Sequence, residues 1–204
     1  MTKTSQAQSL SSTKYQEQIL VVPRAQLFKN ISPWHGLDTQ NTHEVLSIIT
    51  SHAQFHPRGN MEEDPTYKQI IPYGVFVYQK SYFLMQRSNS GSESRLKNKF
   101  TLGIGGHMRA SDLQGSTLFD WIKREFYEEI DYNDQLTIKP LGILNDDTNA
   151  VGQVHLGIVL LLEGSSSTIS IRSELAQGNF VTKQVLQEQQ EYMESWSQLI
   201  IPYL

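Results

Sequence analysis

Glu125, Glu128 and Glu129 lie within five positions of one another, in a stretch whose apolar residues recur at helical spacing. Leu118, Ile122, Phe126 and Ile130 form the apolar stripe of that helix. With Ile122 at zero on a wheel of about 100° per residue, Glu129 falls at about −20°, Glu125 at about −60° and Glu128 at about −120°. The carboxylates therefore fan out from one edge of the core face, with Glu129 almost within it. An unpaired carboxylate is costly to bury, and three like charges this close repel one another. A hard divalent cation with oxygen ligands would relieve both penalties. The plainer alternative is a solvated Glu-rich helix edge. Gly105 and Gly106, just upstream, shift the balance, because backbone groups there can approach a ligand or metal without a Cβ in the way.

With Arg124-Glu125-Phe126-Tyr127-Glu128-Glu129 behind Gly105-Gly106, the stretch resembles the Nudix box, G-x5-E-x7-R-E-U-x-E-E-x-G-U. The match is close at R-E-x-x-E-E. Counting back from Arg124, Ser116 stands where the box has its first glutamate and Ala110 where it has its first glycine. The glycine pair sits about four residues further upstream, so the loop is longer than the standard one. Phe126 replaces the usual aliphatic residue, and Asp131 replaces the late glycine at a helix end whose left-handed conformation it tolerates. The segments Glu63 to Tyr73 and Gly103 to His107 resemble a bacterial subgroup of MutT-like Nudix phosphoesterases, over roughly Lys68 to Leu186.

That resemblance implies an α/β/α sandwich with a mixed β-sheet and a Nudix-type pyrophosphohydrolase. It implies that Glu125, Glu128 and Glu129 are the metal ligands, joined by the Gly105 carbonyl, with Arg124 completing the catalytic set. Pyrophosphate hydrolysis needs charge neutralised on phosphate oxygens, and Mg²⁺ suits this because it takes few carboxylates and keeps several waters; Mn²⁺ is the natural substitute. Arg124 usually pairs with the box glutamate. With Ser116 there, Asp120 or Asp112 is the candidate partner.

The elements that must position these groups can be read on either side. Residues 1–13 read as a disordered tail, and 14–204 as one domain with an N-terminal extension (14–67). Gln18 to Val22 reads as a strand, Ala25 to Asn30 and Glu44 to His52 as short helices, and Phe55 to Pro65 as a polar loop. Gln69 to Tyr78 and Tyr82 to Gln86 read as strands around a turn at Gln79-Lys80-Ser81. Phe100 to Ile104 is a third strand, delivering the glycine turn. Leu136 to Leu144, Val154 to Leu162 and a short run near Asn179 to Thr182 follow the helix, and a final helix covers 183–199. The order β-β-β-α-β-β-β-α agrees with a mixed α/β sandwich.

Other candidates are weaker. Gly106 and His107 adjoin the turn and could contact phosphate. Arg87, Arg95, Lys97 and Lys99 bracket the Ser88 to Ser94 loop, either as ordinary surface charge or as phosphate-steering cations. Glu174, Asp146 and Asp147 are candidates for a further acid supplied after the box, and His155 reads as structural or substrate-lining.

A net charge of −4 and a pI near 5.9 argue against non-specific nucleic-acid binding. The absence of cysteine excludes disulfides and thiolate metal sites, and fits a reducing compartment. Residues 1–16 lack the apolar core of a secretory signal, and the longest apolar run, Leu156 to Leu162, is too short to span a bilayer. The default expectation is a cytoplasmic protein without a membrane partner; oligomeric state is not legible. The expected activity is Mg²⁺-dependent cleavage of a phosphoanhydride in a nucleoside-diphosphate-linked or related small organic pyrophosphate. The alternative is a Nudix-like domain that binds such a molecule without turnover. A purely structural module would leave the three glutamates without a role.

Overall fold

The computed structural model describes residues 14–87, 99–112, 117–172 and 175–204. The expected tail at 1–13 lies outside them. Two opening segments, β1 (Gln18–Pro23) and α1 (Arg24–Leu27), lead to a short strand, β2 (Gly36–Asp38), and to α2 (Thr42–His52). The segment expected to be a polar loop instead begins with β3 (Gln54–Pro57) and α3 (Arg58–Met61). Pairing explains the difference: β3 lies antiparallel to β1, with Leu20 opposite Phe55, so its polar residues sit on a hydrogen-bonded edge.

The long strand β4 (Tyr67–Tyr78) turns through Gln79 and Lys80 into β5 (Ser81–Arg87). Both turn residues have positive φ, 47° and 65°, as a tight two-residue hairpin requires. The expected third strand is split in two. β6 (Phe100–Thr101) pairs with β5, whereas β7 (Gly103–Gly105) pairs with β4, and fully buried Leu102 lies at the change of partner. The central helix is α4 (Leu118–Glu129), followed by β8 (Ile130–Asp131), β9 (Leu136–Asn145), α5 (Ala150–Val154) and β10 (His155–Gly164). Then come β11 (Ser170–Ile171), β12 (Leu175–Val181), α6 (Lys183–Glu188) and α7 (Ser195–Ile200).

The expected continuous helix over 183–199 is thus broken. Met193 is fully buried and bridges to Phe100, while the Glu194 N–H donates to the Phe100 carbonyl. Backbone bonded to a sheet edge cannot continue a helix, so α6 and α7 stand on either side of that contact.

Among the described residues the main sheet runs β12-β5-β4-β10-β9-β2, with β1, β3, β6 and β7 attached at its margins. β4 and β10 run parallel at its centre; the other pairs are antiparallel. Both central strands are covered on both faces, which is why they read as almost unbroken apolar runs. One face, including Ile70, Phe76, Leu156 and Leu162, packs with Val45 and Ile49 of α2 and with Trp121, Ile122 and Phe126 of α4. The other, including Tyr73, Val75 and Val159, packs with Leu186, Met193 and Ile200. This is the mixed α/β/α sandwich expected from the sequence.

Candidate active site

The helix carrying the glutamates is fixed at its start by its own sequence. Thr117 caps it: the Asp120 N–H donates to Thr117 Oγ1, and the Asp120 carboxylate accepts from the Thr117 N–H at 3.0 Å. This reciprocal cap satisfies two donors that a helix end otherwise leaves open. Asp120 is therefore engaged in capping and is not the partner of Arg124; the Asp112 side chain and Ser116 lie outside the described residues. Trp121, Ile122 and Phe126 form the buried face, and the Phe126 ring stacks on Phe76 at 5.5 Å. Gly74 admits this close approach, since a Cβ there would stand 3.2 Å from the Ile122 side chain and 2.7 Å from that of Leu162.

On this helix the buried carboxylate is Glu125, at 9% exposure, whereas Glu129 is half-buried and Glu128 exposed. The wheel placed Glu129 nearest the core. A wheel gives azimuth only; Glu129 is the last helical residue, where the chain departs into β8, while Glu125 lies mid-helix beneath the glycine turn. Gly106 meets it there. A Cβ on Gly106 would come within 2.7 Å of Glu125 Oε2, so this residue must lack one for the carboxylate to lie where it does. Gly105 pairs with Tyr73 at the end of β7 and lies against the Pro72 carbonyl. The turn and the R-E-x-x-E-E helix are thus in direct contact.

Among the described residues, Arg124 finds two partners within the motif itself. Its guanidinium donates to Glu125 Oε1 at 2.6 Å and to Glu128 Oε1 at 2.5 Å, and lies over the Trp121 ring. Burial pushes the Glu125 carboxyl above its ordinary value; Arg124 and, more weakly, Arg109 oppose this, while Glu128 adds to it.

Beyond Gly106, the His107 Nε2–H donates to Gln69 Oε1 at 2.6 Å, and His155 Nε2 lies 3.4 Å from His107 Nε2. His155 Nδ1–H donates to the Val151 carbonyl at 2.7 Å. These carbonyl acceptors place a proton on His107 Nε2 and on His155 Nδ1. Burial, reinforced by Arg58, His155, Lys14 and Arg109, holds the His107 imidazole well below its ordinary value. Arg109 was not singled out from the sequence, and only its position three residues after Gly106 could have flagged it. Its NH2 is 4.0 Å from Glu125 Oε1, and its NH1 is 3.6 Å from Glu17 Oε1.

The remaining candidates divide. Lys99 is exposed; Arg95, Lys97 and Glu174 lie outside the described residues. Arg87 is no solvated charge: its Nε–H donates to buried Glu194 at 2.8 Å. Asp147 is engaged by Arg24 and by the fully buried Lys68, and Asp146 accepts from Thr148 and Asn149 in its own loop. Neither is left to serve as an additional acid.

Among the described residues no three acidic or histidine side chains converge as a ready metal cage. The donor chemistry nonetheless suits a hard cation. Glu125 and Glu128 each turn an oxygen toward one shared positive group, here the Arg124 guanidinium, and the other oxygen of Glu125 occupies the space that a Cβ on Gly106 would take. Carboxylate and carbonyl oxygens are the ligands that Mg²⁺ and Mn²⁺ take.

With this geometry in view, similarity to known proteins is informative. No protein-family model matches the sequence. Protein YmaB of Bacillus subtilis is 36% identical over 206 residues, covering 94% of this chain and 98% of YmaB. The crystal structure of Tm1382, a candidate Nudix hydrolase, superposes with a TM-score of 0.76 at 29% identity, over 91% of this chain and 97% of that one. The Nudix domain of Shewanella oneidensis NrtR, solved with ADP-ribose, superposes at 0.52 with 14% identity, over 67% of this chain and 85% of that one. This last likeness is one of fold.

Proposed function

Because the chain belongs to the Nudix hydrolase superfamily, in one family with YmaB, and is a pyrophosphohydrolase of that type, we propose that it cleaves a phosphoanhydride in a nucleoside-diphosphate-linked or related small organic pyrophosphate, with Mg²⁺ as cofactor. The observation that carries this reading is the contact between Gly106 and the Glu125 carboxylate, which joins both halves of the motif at one point.

Glu125, Glu128 and Glu129, with the Gly105 carbonyl, are the groups that would hold the cation. When bound, it supplies positive charge against the phosphate oxygens. The chain's own residues do the rest. Arg124 keeps Glu125 and Glu128 on one side of the helix and offsets their mutual repulsion. The Trp121 ring beneath the guanidinium and the capped helix start hold that arrangement in place. Gly106 leaves room for the carboxylate, and neutral His107 presents an edge that carries no competing charge. The general base is one of the three glutamates.

ADP-ribose is the first compound to test, given its complex with a domain of the same fold. A panel of ADP-ribose, nucleoside-diphosphate sugars, dinucleoside polyphosphates and oxidised nucleotides, each with Mg²⁺ and with EDTA, tests the proposal. Turnover of at least one member, abolished by EDTA, is the expected result. Binding without turnover across the panel would favour a sensing domain, and turnover unaffected by EDTA would remove the metal from the account.

A further inference from the structure

Charges alternate along a line from the N-terminal extension to the central helix. Glu62 accepts from the Arg58 Nε–H at 2.8 Å; Arg58 NH1 lies 3.7 Å from Glu17 Oε2. Arg109 NH1 lies 3.6 Å from Glu17 Oε1, and Arg109 NH2 4.0 Å from Glu125 Oε1. One carboxylate, Glu17, thus sits between two arginines, one oxygen toward each, and the second arginine borders the proposed catalytic glutamate. Apart from Glu125, none of these groups belongs to the box helix.

The backbone around the two arginines is well fixed. The Leu20 N–H donates to the Met108 carbonyl at 2.8 Å, and Ile19 bridges to Arg109, so β1 holds the loop that carries Arg109. The Arg58 N–H donates to the Glu17 carbonyl at 2.8 Å, which holds α3 beside the same segment. A pyrophosphate brought to Glu125, Glu128 and Glu129 carries negative charge into an already acidic place. The motif's own arginine is occupied by two of those carboxylates. Cations are required from elsewhere, and guanidinium groups are suited to phosphate because their planar fork donates in pairs.

We propose that Arg109 and Arg58 form a phosphate-binding pair for the substrate's pyrophosphate, contributed jointly by the box loop and the N-terminal extension, with the Glu17 carboxylate holding the place of a phosphate between them. The proposal rests on the pyrophosphohydrolase reading and adds the residues that recognise the anionic chain. Arg109 contacts the phosphate nearer Glu125, and Arg58 the one further out. Glu17 competes with the ligand for both, so its charge sets affinity from within the site.

Equilibrium binding of imidodiphosphate, a non-hydrolysable pyrophosphate, to the full chain with MgCl₂ tests this. Arg109→Gln and Arg58→Gln should each weaken binding about tenfold, the factor carried by one charge-assisted hydrogen bond. Arg109→Lys should recover part of the loss, keeping the charge without the fork. Glu17→Gln should bind several-fold more tightly, a gain that a merely structural ion-pair chain does not produce. Circular dichroism identifies any variant that fails to fold, and the tighter binding of Glu17→Gln decides the matter in that event. Unchanged binding in both arginine variants, no gain in Glu17→Gln, or no binding by the parent protein would each overturn the pair. Turnover of the substrate panel is scored separately. Panel turnover with unaltered imidodiphosphate binding in the variants removes only the pair; the predicted binding changes without panel turnover remove only the hydrolase reading.

Discussion

At the scale of single residues, the candidate site depends on where one carboxylate lies and what allows it to lie there. Glu125 is buried beside a backbone that has no Cβ, and Arg124 joins it to Glu128. Gly106→Ala is the sharpest probe of that arrangement. The added methyl would meet a carboxylate oxygen at the end of a side chain that can swing away, so folding should survive. The carboxylate would be displaced by something approaching an ångström, a shift that can cost about 100-fold in rate. Steady-state kinetics should show kcat falling by about 10- to 100-fold with an unaltered circular dichroism spectrum; kcat within twofold of the parent would mean the contact is incidental. Arg124 carries a second residue-scale expectation. Arg124→Lys keeps the charge but cannot fork to two carboxylates, so activity should fall and half-maximal activity should require more Mg²⁺. An unchanged Mg²⁺ dependence would count against the bridging role.

Among the elements, the helix that carries the glutamates can be read almost entirely from sequence, and its cap shows why. Thr117 and Asp120 stand at the spacing of a reciprocal cap, ahead of an amphipathic run. Thr117→Ala should cost about 1 kcal/mol and lower Tm by about 2–4 °C for a chain of this size. Differential scanning calorimetry measures this directly, and an unchanged Tm would mean the cap contributes nothing net. The central strands are equally legible, because burial on both faces leaves almost continuous apolar runs over Ile70 to Val77 and Leu156 to Leu162. Legibility fails where long-range pairing decides local structure. Phe55 and His56 are polar-flanked and become a strand only because β1 lies beside them. The final helix breaks because Met193 is drawn into the core at Phe100, a contact 93 positions away in sequence. The three glutamates were identified together from their spacing, but their order of burial was not, since a wheel carries no information about what the last turn rests on. Arg109 and Glu17 meet only through the fold, and neither stands at a position the motif specifies.

For the molecule as a whole, a partly buried ion-pair network ties the N-terminal segment to the centre of the sheet. Lys68 on β4 is fully buried and donates to Asp147, to the Gly152 carbonyl and to the His155 carbonyl, while Arg24 from α1 holds the other side of Asp147. Burial opposes the charge on Asp147, yet hydrogen bonds from Arg24 and Lys68 outweigh it and hold the carboxyl well below its ordinary 3.8. The folded state therefore binds this proton less readily than the unfolded chain. The resulting stability is present in full above the ordinary carboxylate pKa and is lost as pH falls through it toward the folded value. Urea denaturation should show stability declining below about pH 4, with a shallower decline in Asp147→Asn. That variant should also lose about 3 kcal/mol at pH 7, because the buried Lys68 ammonium is left without its counter-charge; parallel acid limbs in the two proteins would contradict the assignment. The central claim is that Glu125 and Glu128 act together with a divalent cation to cleave a pyrophosphate. Its most direct test is the Mg²⁺-dependent turnover of a cleaved panel compound by Glu125→Gln and Glu128→Gln, with folding verified by circular dichroism. Loss of at least 100-fold in kcat in both variants is the predicted result; near-parental turnover in either would contradict it.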